Sequence, residues 1–326
     1  MKINSHLSEL LRQTEAHHRC LHACEHRDQQ RLRVLVKSGE LTRPWHGLYV
    51  RTAIWQGLDS NEQYLWIIRA LHDWHPEWDF AGISAISVYG IEHPYWLHDH
   101  KEVFLATAKS MSSRKSKGIR YIHVPEVVTI QSSQTSITSV ARSLCDCATR
   151  YEFHEVLPMF DSAMRKNLVN EQAIIKASAS VRVADSKIQS LLHFTDWHSE
   201  NCGESICRAI MLEEGFNKPD LQNEFRIPTV NGDILTYRVD MTYRLPNNAL
   251  IGVEFDGMDK YINPDMTNHH SIRQVVYEEK EREHNLLTAT PIQRIVRLDF
   301  NDMMQRTPLI KKLSDAGVPR SFDYKH

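Results

Sequence analysis

The sequence predicts an α/β chain, α+β overall, and three observations carry that expectation. Apolar residues recur at helical spacing in stretches such as 5–24, 61–74 and 199–214. Short β-type runs separate them, EVFLAT at 102–107, IRYIHV at 119–124 and EVVTI at 126–130. Asn231-Gly232 stands between two further β-type runs, a strong two-residue hairpin signal.

The chain has 326 residues, 41% hydrophobic and 25% charged, enough for two or three domains. No apolar run approaches the roughly 18 residues needed to cross a bilayer, and the N-terminus alternates polar with apolar residues, unlike a signal peptide. A cytoplasmic protein is expected. Six cysteines fall in close pairs, Cys20/Cys24, Cys145/Cys147 and Cys202/Cys207, expected to be reduced thiols in a chain with ample aliphatic core. The net charge of -2 hides an asymmetry: residues 1–52 hold nine Lys/Arg against five Asp/Glu, and residues 199–302 hold eleven against eighteen. A basic end suits a polyanion. An acidic end that also approaches one makes sense when cations neutralise part of it.

From the N-terminus, apolar positions Leu7, Leu10, Leu11, Cys20, Leu21 and Cys24 predict a helix over 5–24, and a second is expected over Asp28–Ser38 with Asp28 as its N-cap and Gly39 as its stop. GELTRPWHGLYVRT then reads as strand, turn and strand. Helices followed by a small hairpin describe a winged helix-turn-helix over 1–55, with Arg27, Arg31, Arg33, Lys37 and Arg43 as the cations expected to meet DNA. Trp45 and Tyr49 read as packing residues of the wing, and Trp66, Trp74 and Trp78 as core or interface rather than base-stacking surfaces. The His/Cys-rich run 17–26 matches no closed zinc spacing and reads as a solvated helix. Residues 56–185 alternate helices (61–74, 82–89, 139–150, 154–166) with the short strands and form a middle α/β domain, its boundary placed in the polar passage 177–190. A third domain is expected over 190–310, followed by a tail, 311–326.

The third domain carries the chemistry. SENCGESICRAIMLEEGF reads as a helix capped by Ser199 and closed at Gly215, with Glu204 in its second turn. A turn centred on Asn247 places Asp240 opposite Glu254 in an antiparallel pair, and the two-residue period puts Asp256 on the same face, with Val239, Met241, Val253 and Phe255 on the opposite, core face. The competing reading is a solvated acidic face. Like charges directly opposite cost up to about 1 kcal/mol per pair, so a cation is expected, and an all-oxygen set suits Mg²⁺, with Mn²⁺ as a substitute. Such an ion would activate water and offset charge on a scissile phosphate. Downstream, Lys260 follows the turn after Asp256, and a helix over about 271–287 carries Lys280 and Arg282 as phosphate-gripping cations, before the closing strand IQRIVRLDF. Strand, helix and strand in that order imply a mixed sheet with the carboxylates at one edge.

Glu204, Val239-Asp240, Glu254-Phe255-Asp256-Gly257, a basic-acidic helix and a VxR-like strand resemble the PD-(D/E)XK superfamily over 199–302, particularly the very-short-patch-repair endonuclease branch. The resemblance implies a restriction-endonuclease-like mixed sheet flanked by helices, a metal held by Glu204, Asp240 and Glu254, and catalysis by those residues with Asp256 and Lys260. Asp256 stands where the wider superfamily has Lys, so the water-activating group is left between Lys260 and a metal-activated hydroxide. In the first half, FAGISAISVYGI (80–91) and ITSVARSLCDCA (137–148) resemble the abortive-infection type IV antitoxins, AbiEi-like proteins with an N-terminal winged helix. Together these imply a DNA-binding, metal-dependent endonuclease of a bacterial defence or toxin–antitoxin setting. A non-enzymatic repressor on a degenerate nuclease scaffold is the alternative, and a C-terminal module that binds a cognate toxin or helicase is a third possibility; a homodimer is compatible with each.

Overall fold

In the computed structural model the first helix, α1 (Ser5–Ala16), ends well before its apolar spacing runs out. The structure describes residues 5–22, 26–98, 102–109, 118–125, 129–132, 135–229, 231–256 and 272–321. His18 takes a left-handed φ of 51°, and Leu21 enters a short strand, β1 (Leu21–His22). Tertiary pairing overrides local helical preference there, because Leu21 and His22 lie opposite Tyr49 and Leu48. Helix α2 (His26–Lys37) starts before Asp28, which therefore sits in its first turn instead of capping it. Gly39, with φ 78°, ends the helix as expected. The hairpin β2 (Leu41–Trp45) and β3 (Leu48–Arg51) completes a three-stranded sheet in the order β1-β3-β2. Pro44 is tolerated because β2 is an edge strand. Leu7, Leu11, Leu32, Leu35 and Leu41 form the small core under this sheet.

Residues 1–55 also contribute to a second core. Leu48, Val50 and Trp55, the last from α3 (Thr52–Gln56), share it with Trp66, Ile67 and Ile68 of α4 (Ser60–Trp74) and with Phe80. Helix α5 (Gly82–Val88), strands β4 (Val103–Thr107) and β5 (Ile119–His123), the pair β6 (Thr129–Ser132) and β7 (Thr135–Thr138), and α6 (Val140–Ala148) follow. The alternation expected for the middle segment is present, with β4 and β5 parallel. Helix α7 (Phe153–Arg165) departs from the expected boundary. The chain forms two compact units, one of residues 1–150 and 169–184, the other of 151–168 and 185–326. Helix α8 (Glu171–Ser178) belongs to the first unit, and α7 with α9 (Asp185–Phe194) to the second.

In the second unit α7 packs on α10 (Cys202–Glu213), where a fully buried ion pair joins Asp161 to Arg208 at 2.6 Å. Strands β8 (Asp220–Pro228), β9 (Ile234–Arg244) and β10 (Leu250–Asp256) run antiparallel. Helix α11 (Ile272–Ala289) crosses to β11 (Ile292–Asp299), which pairs parallel with β10. The sheet order is β11-β10-β9-β8, and α12 (Phe300–Gln305) and α13 (Thr307–Ala316) close the unit. The mixed sheet is as expected, but β9 and β10 are its inner strands, so their carboxylates stand at one end of the sheet and not at its edge.

Candidate functional site

The site begins with a register. Leu250 pairs with Arg244, Ile251 with Tyr243, Gly252 with Thr242 and Val253 with Met241, so each pair is centred on Asn247 as the turn predicts. The paired register stops there, with Asp240 and Glu254 next in line on the two strands. The ladder yields there to a side chain: Asp240 Oδ2 accepts the backbone N–H of Phe255 at 3.0 Å. Val239, Met241, Val253 and Phe255 are all buried, but Val239 clusters with Leu250, Leu286 and Ile292 and lies against Gly252, on the face that Gly252 shares with Glu254, so the expected alternation fails at Val239.

Helix α10 brings Glu204 to this end of the sheet. Its N-cap is Asn201, whose side chain accepts the Glu204 N–H at 3.0 Å, and not Ser199, whose hydroxyl bonds Ser205 Oγ at 2.7 Å. Glu204 therefore lies in the first turn. Gly203 lets that turn lie against the sheet, since a Cβ there would stand 2.6 Å from the Phe255 ring. Glu204 does not pair with Arg208, four residues on. Its carboxylate accepts from Asn201 Nδ2 at 2.5 Å, from the Glu200 N–H at 3.0 Å and from Gln222 Nε2 at 3.1 Å. Burial, and then the negative charge of Asp240, push the Glu204 carboxyl up to about 7.

Two arginines face the acids. Arg282 of α11 donates to Glu254 Oε1 at 2.5 Å and to the Arg238 carbonyl at 2.6 Å. Burial opposes its charge, but the hydrogen bond and charge of Glu254 outweigh that and raise its pKa. Arg297 is the register neighbour of Glu254 in the parallel ladder. It reaches Glu254 Oε2 at 3.5 Å, Asp256 Oδ2 at 3.3 Å, Glu283 at 3.4 Å and Glu279. Its importance was not legible, because no tight turn fixes the register of a parallel pair. Asn201 and Gln222 were equally silent.

Among the described residues no three His, Cys, Asp or Glu side chains gather into a ready ligand set for a metal. The expected trio is thus not assembled in that form, since Glu204 is taken up by amide donors and Glu254 by arginines. The nearest oxygen donors are Asp240 and Glu254, the latter open to an ion only if an arginine withdraws. Such an oxygen pair fits Mg²⁺, which is commonly held by one or two carboxylates with water and substrate phosphate completing its shell, and does not fit a closed protein cage. Six carboxylates (Glu204, Asp240, Glu254, Asp256, Glu279, Glu283) here meet two guanidinium groups, and a further cation would lower that imbalance.

Of the other expected residues, Lys280 is exposed on α11, and Lys260 lies outside the described residues. On α2, Gln30, Arg33, Val34 and Lys37 form one exposed helical stripe, with Leu32 and Leu35 buried behind it. Arg31 is half-buried, Arg43 is exposed on β2, and the Arg27 side chain lies outside the described residues. Trp66 and Tyr49 are buried, but Trp74 is exposed. Cys20, Cys145, Cys147, Cys202 and Cys207 are free thiols, and Cys24 falls outside the described residues. No helix among the described residues is long and apolar enough to cross a membrane. No family model matches the chain, and no curated protein matches it in sequence.

Proposed function

We propose that this chain is a DNA-binding protein whose second unit hydrolyses phosphodiester bonds with Mg²⁺, or Mn²⁺ in its place, on a restriction-endonuclease-like sheet. The observation that supports the reading is the group of carboxylates just past the last β9–β10 pair, where Asp240 Oδ2 accepts the Phe255 N–H next to Glu254, near the carboxyl ends of the parallel strands β10 and β11. Ligands of α/β sheets bind outside strand carboxyl ends. Asp240 and Glu254 would hold the ion, Glu254 by releasing an arginine, and the ion would supply Lewis acidity and an activated water. Glu204 holds a proton near neutral pH and limits the charge around Asp240. Asp256 would orient the attacking water, Lys260, which lies outside the described residues, is the proposed proton acceptor, and Arg282 and Lys280 on α11 would engage the phosphate. At the N-terminus the order helix, strand, helix, hairpin supports a winged helix whose stripe Gln30, Arg33 and Lys37 meets DNA.

The test is a panel of plasmids and oligonucleotides with Mg²⁺, Mn²⁺ or EDTA. Wild type is expected to cut only with metal, and Asp240→Asn to lose cutting while keeping its affinity for DNA. Cutting by Asp240→Asn at the wild-type rate would overturn the proposal. One observation favours a second reading: Arg282 and Arg297 occupy both oxygens of Glu254. A non-enzymatic repressor on a nuclease scaffold needs no metal. It would bind its operator tightly in EDTA and cut nothing in the panel.

A further inference from the structure

A cleft of about 1100 Å³ in the first unit plays no part in the site above. We propose that it binds a nucleotide, taking an unpaired base against its aromatic wall and the attached phosphate on Arg43. Trp45, Trp74, His75 and Trp78 line it. Three of its rings form a column with His22: His22 stacks on Trp74 at 3.7 Å, Trp74 on His75 at 4.7 Å and His75 on Trp78 at 4.0 Å, the last two rings within 6° of parallel. Such a column holds the indoles in place before any ligand arrives, so little side-chain entropy is lost on binding. Trp78 ends the column, and Trp74 within it remains 37% exposed.

Charge selects the ligand. Glu102 and Arg120 at the rim neutralise each other, Arg120 Nε donating to Glu102 at 2.7 Å. Arg43 is exposed and has no carboxylate partner among the described residues. An aromatic wall with one uncommitted guanidinium matches a planar base carrying a phosphate. A sugar would call for free carboxylate or amide acceptors, and among the described residues the one lining carboxylate, Glu102, is engaged. Bases within a duplex present no free face, so the ligand is a free nucleotide or an unpaired residue of a strand. The inference shares Arg43 with the proposed DNA contact but uses none of the carboxylates, and it stands whether or not the second unit cleaves.

The experiment titrates the full chain by tryptophan fluorescence with AMP, adenosine, maltose, an eight-residue oligothymidylate and an abasic oligomer with the same number of phosphates. The oligothymidylate or AMP should quench, with the abasic oligomer weaker by about fivefold or more, the least that one stacked base supplies. Arg43→Ala should weaken AMP but not adenosine. AMP at least as tight as the oligomer identifies a free-nucleotide site, and the reverse a strand site. Photocrosslinking of a 5-iodouracil oligomer to wild type, mapped to Trp45, Trp74 or Trp78, is a readout that no misfolded variant confuses. Equal affinity for the abasic and base-bearing oligomers, binding of maltose alone, or no crosslink within the cleft would overturn the proposal.

Discussion

At the scale of single residues, Glu204 is the group whose ionisation is most strongly set by its surroundings. Burial and the neighbouring charge of Asp240 lift it from an ordinary value near 4.5 to about 7. A folded-state pKa above the unfolded one means that the native state holds the proton more tightly. The resulting stabilisation is complete below about pH 4.5 and is lost as pH rises through about 7. Glu204→Gln cannot lose a proton. Relative to that variant, wild type should therefore lose on the order of 2 kcal/mol between pH 5 and pH 8, read by thermal denaturation at both values. Mg²⁺ should restore part of that loss at pH 8 and little at pH 5, because metal and proton compete for the same acidic cluster. An unchanged gap between the two proteins would show that Glu204 is not perturbed. The β9–β10 register as far as Val253 and Met241 was legible at this scale because a short turn fixes it, whereas the two-residue period failed at Val239. Arg297 was not legible, since a charged residue in a strand reached by a long crossover has no register until the fold supplies one.

At the scale of elements, the second unit is joined by a pair that no local pattern announces. Arg208 on α10 and Asp161 on α7 are fully buried, and they meet at 2.6 Å across forty-seven positions of sequence. Arg208 also donates to the Phe194 carbonyl at the end of α9 at 2.6 Å, while Asp161 accepts the Asp196 N–H at 2.8 Å. Three helices are thereby tied, which accounts for the placement of α7 with the second unit although the sequence around it reads as middle domain. Removing one partner leaves the other buried without compensation. Arg208→Met should cost about 3–5 kcal/mol in urea denaturation, and Arg208→Met with Asp161→Leu should recover much of that, because an apolar pair carries no orphaned charge. A small loss in the single variant would mean that water reaches the pair. Helices whose apolar stripes stay local, such as α4 and α11, were legible to within about two residues. The end of α1 was not, because the spacing continues through Leu21 while β3 captures that residue as a strand.

At the scale of the molecule, the charge asymmetry divides the proposed tasks, with the basic segment leading the first unit and the acidic one forming the catalytic end of the second. Affinity for DNA carried by the α2 stripe should rest on counterion release, so log K should fall linearly with log salt, by about 0.9 for each phosphate engaged. Replacing Arg33 and Lys37 together with Ala should lower that slope by about two if each meets one phosphate. It should leave cleavage at saturating DNA unchanged, since neither residue belongs to the acidic cluster. Replacing Gln30 with Ala should leave the slope intact and weaken the preference among sequences, because an amide reads base edges and carries no charge. A slope that survives loss of both cations would place the polyanion contact elsewhere. Arg43 would then be the first cation to examine, with its aromatic cleft and not α2 as the surface that holds the strand.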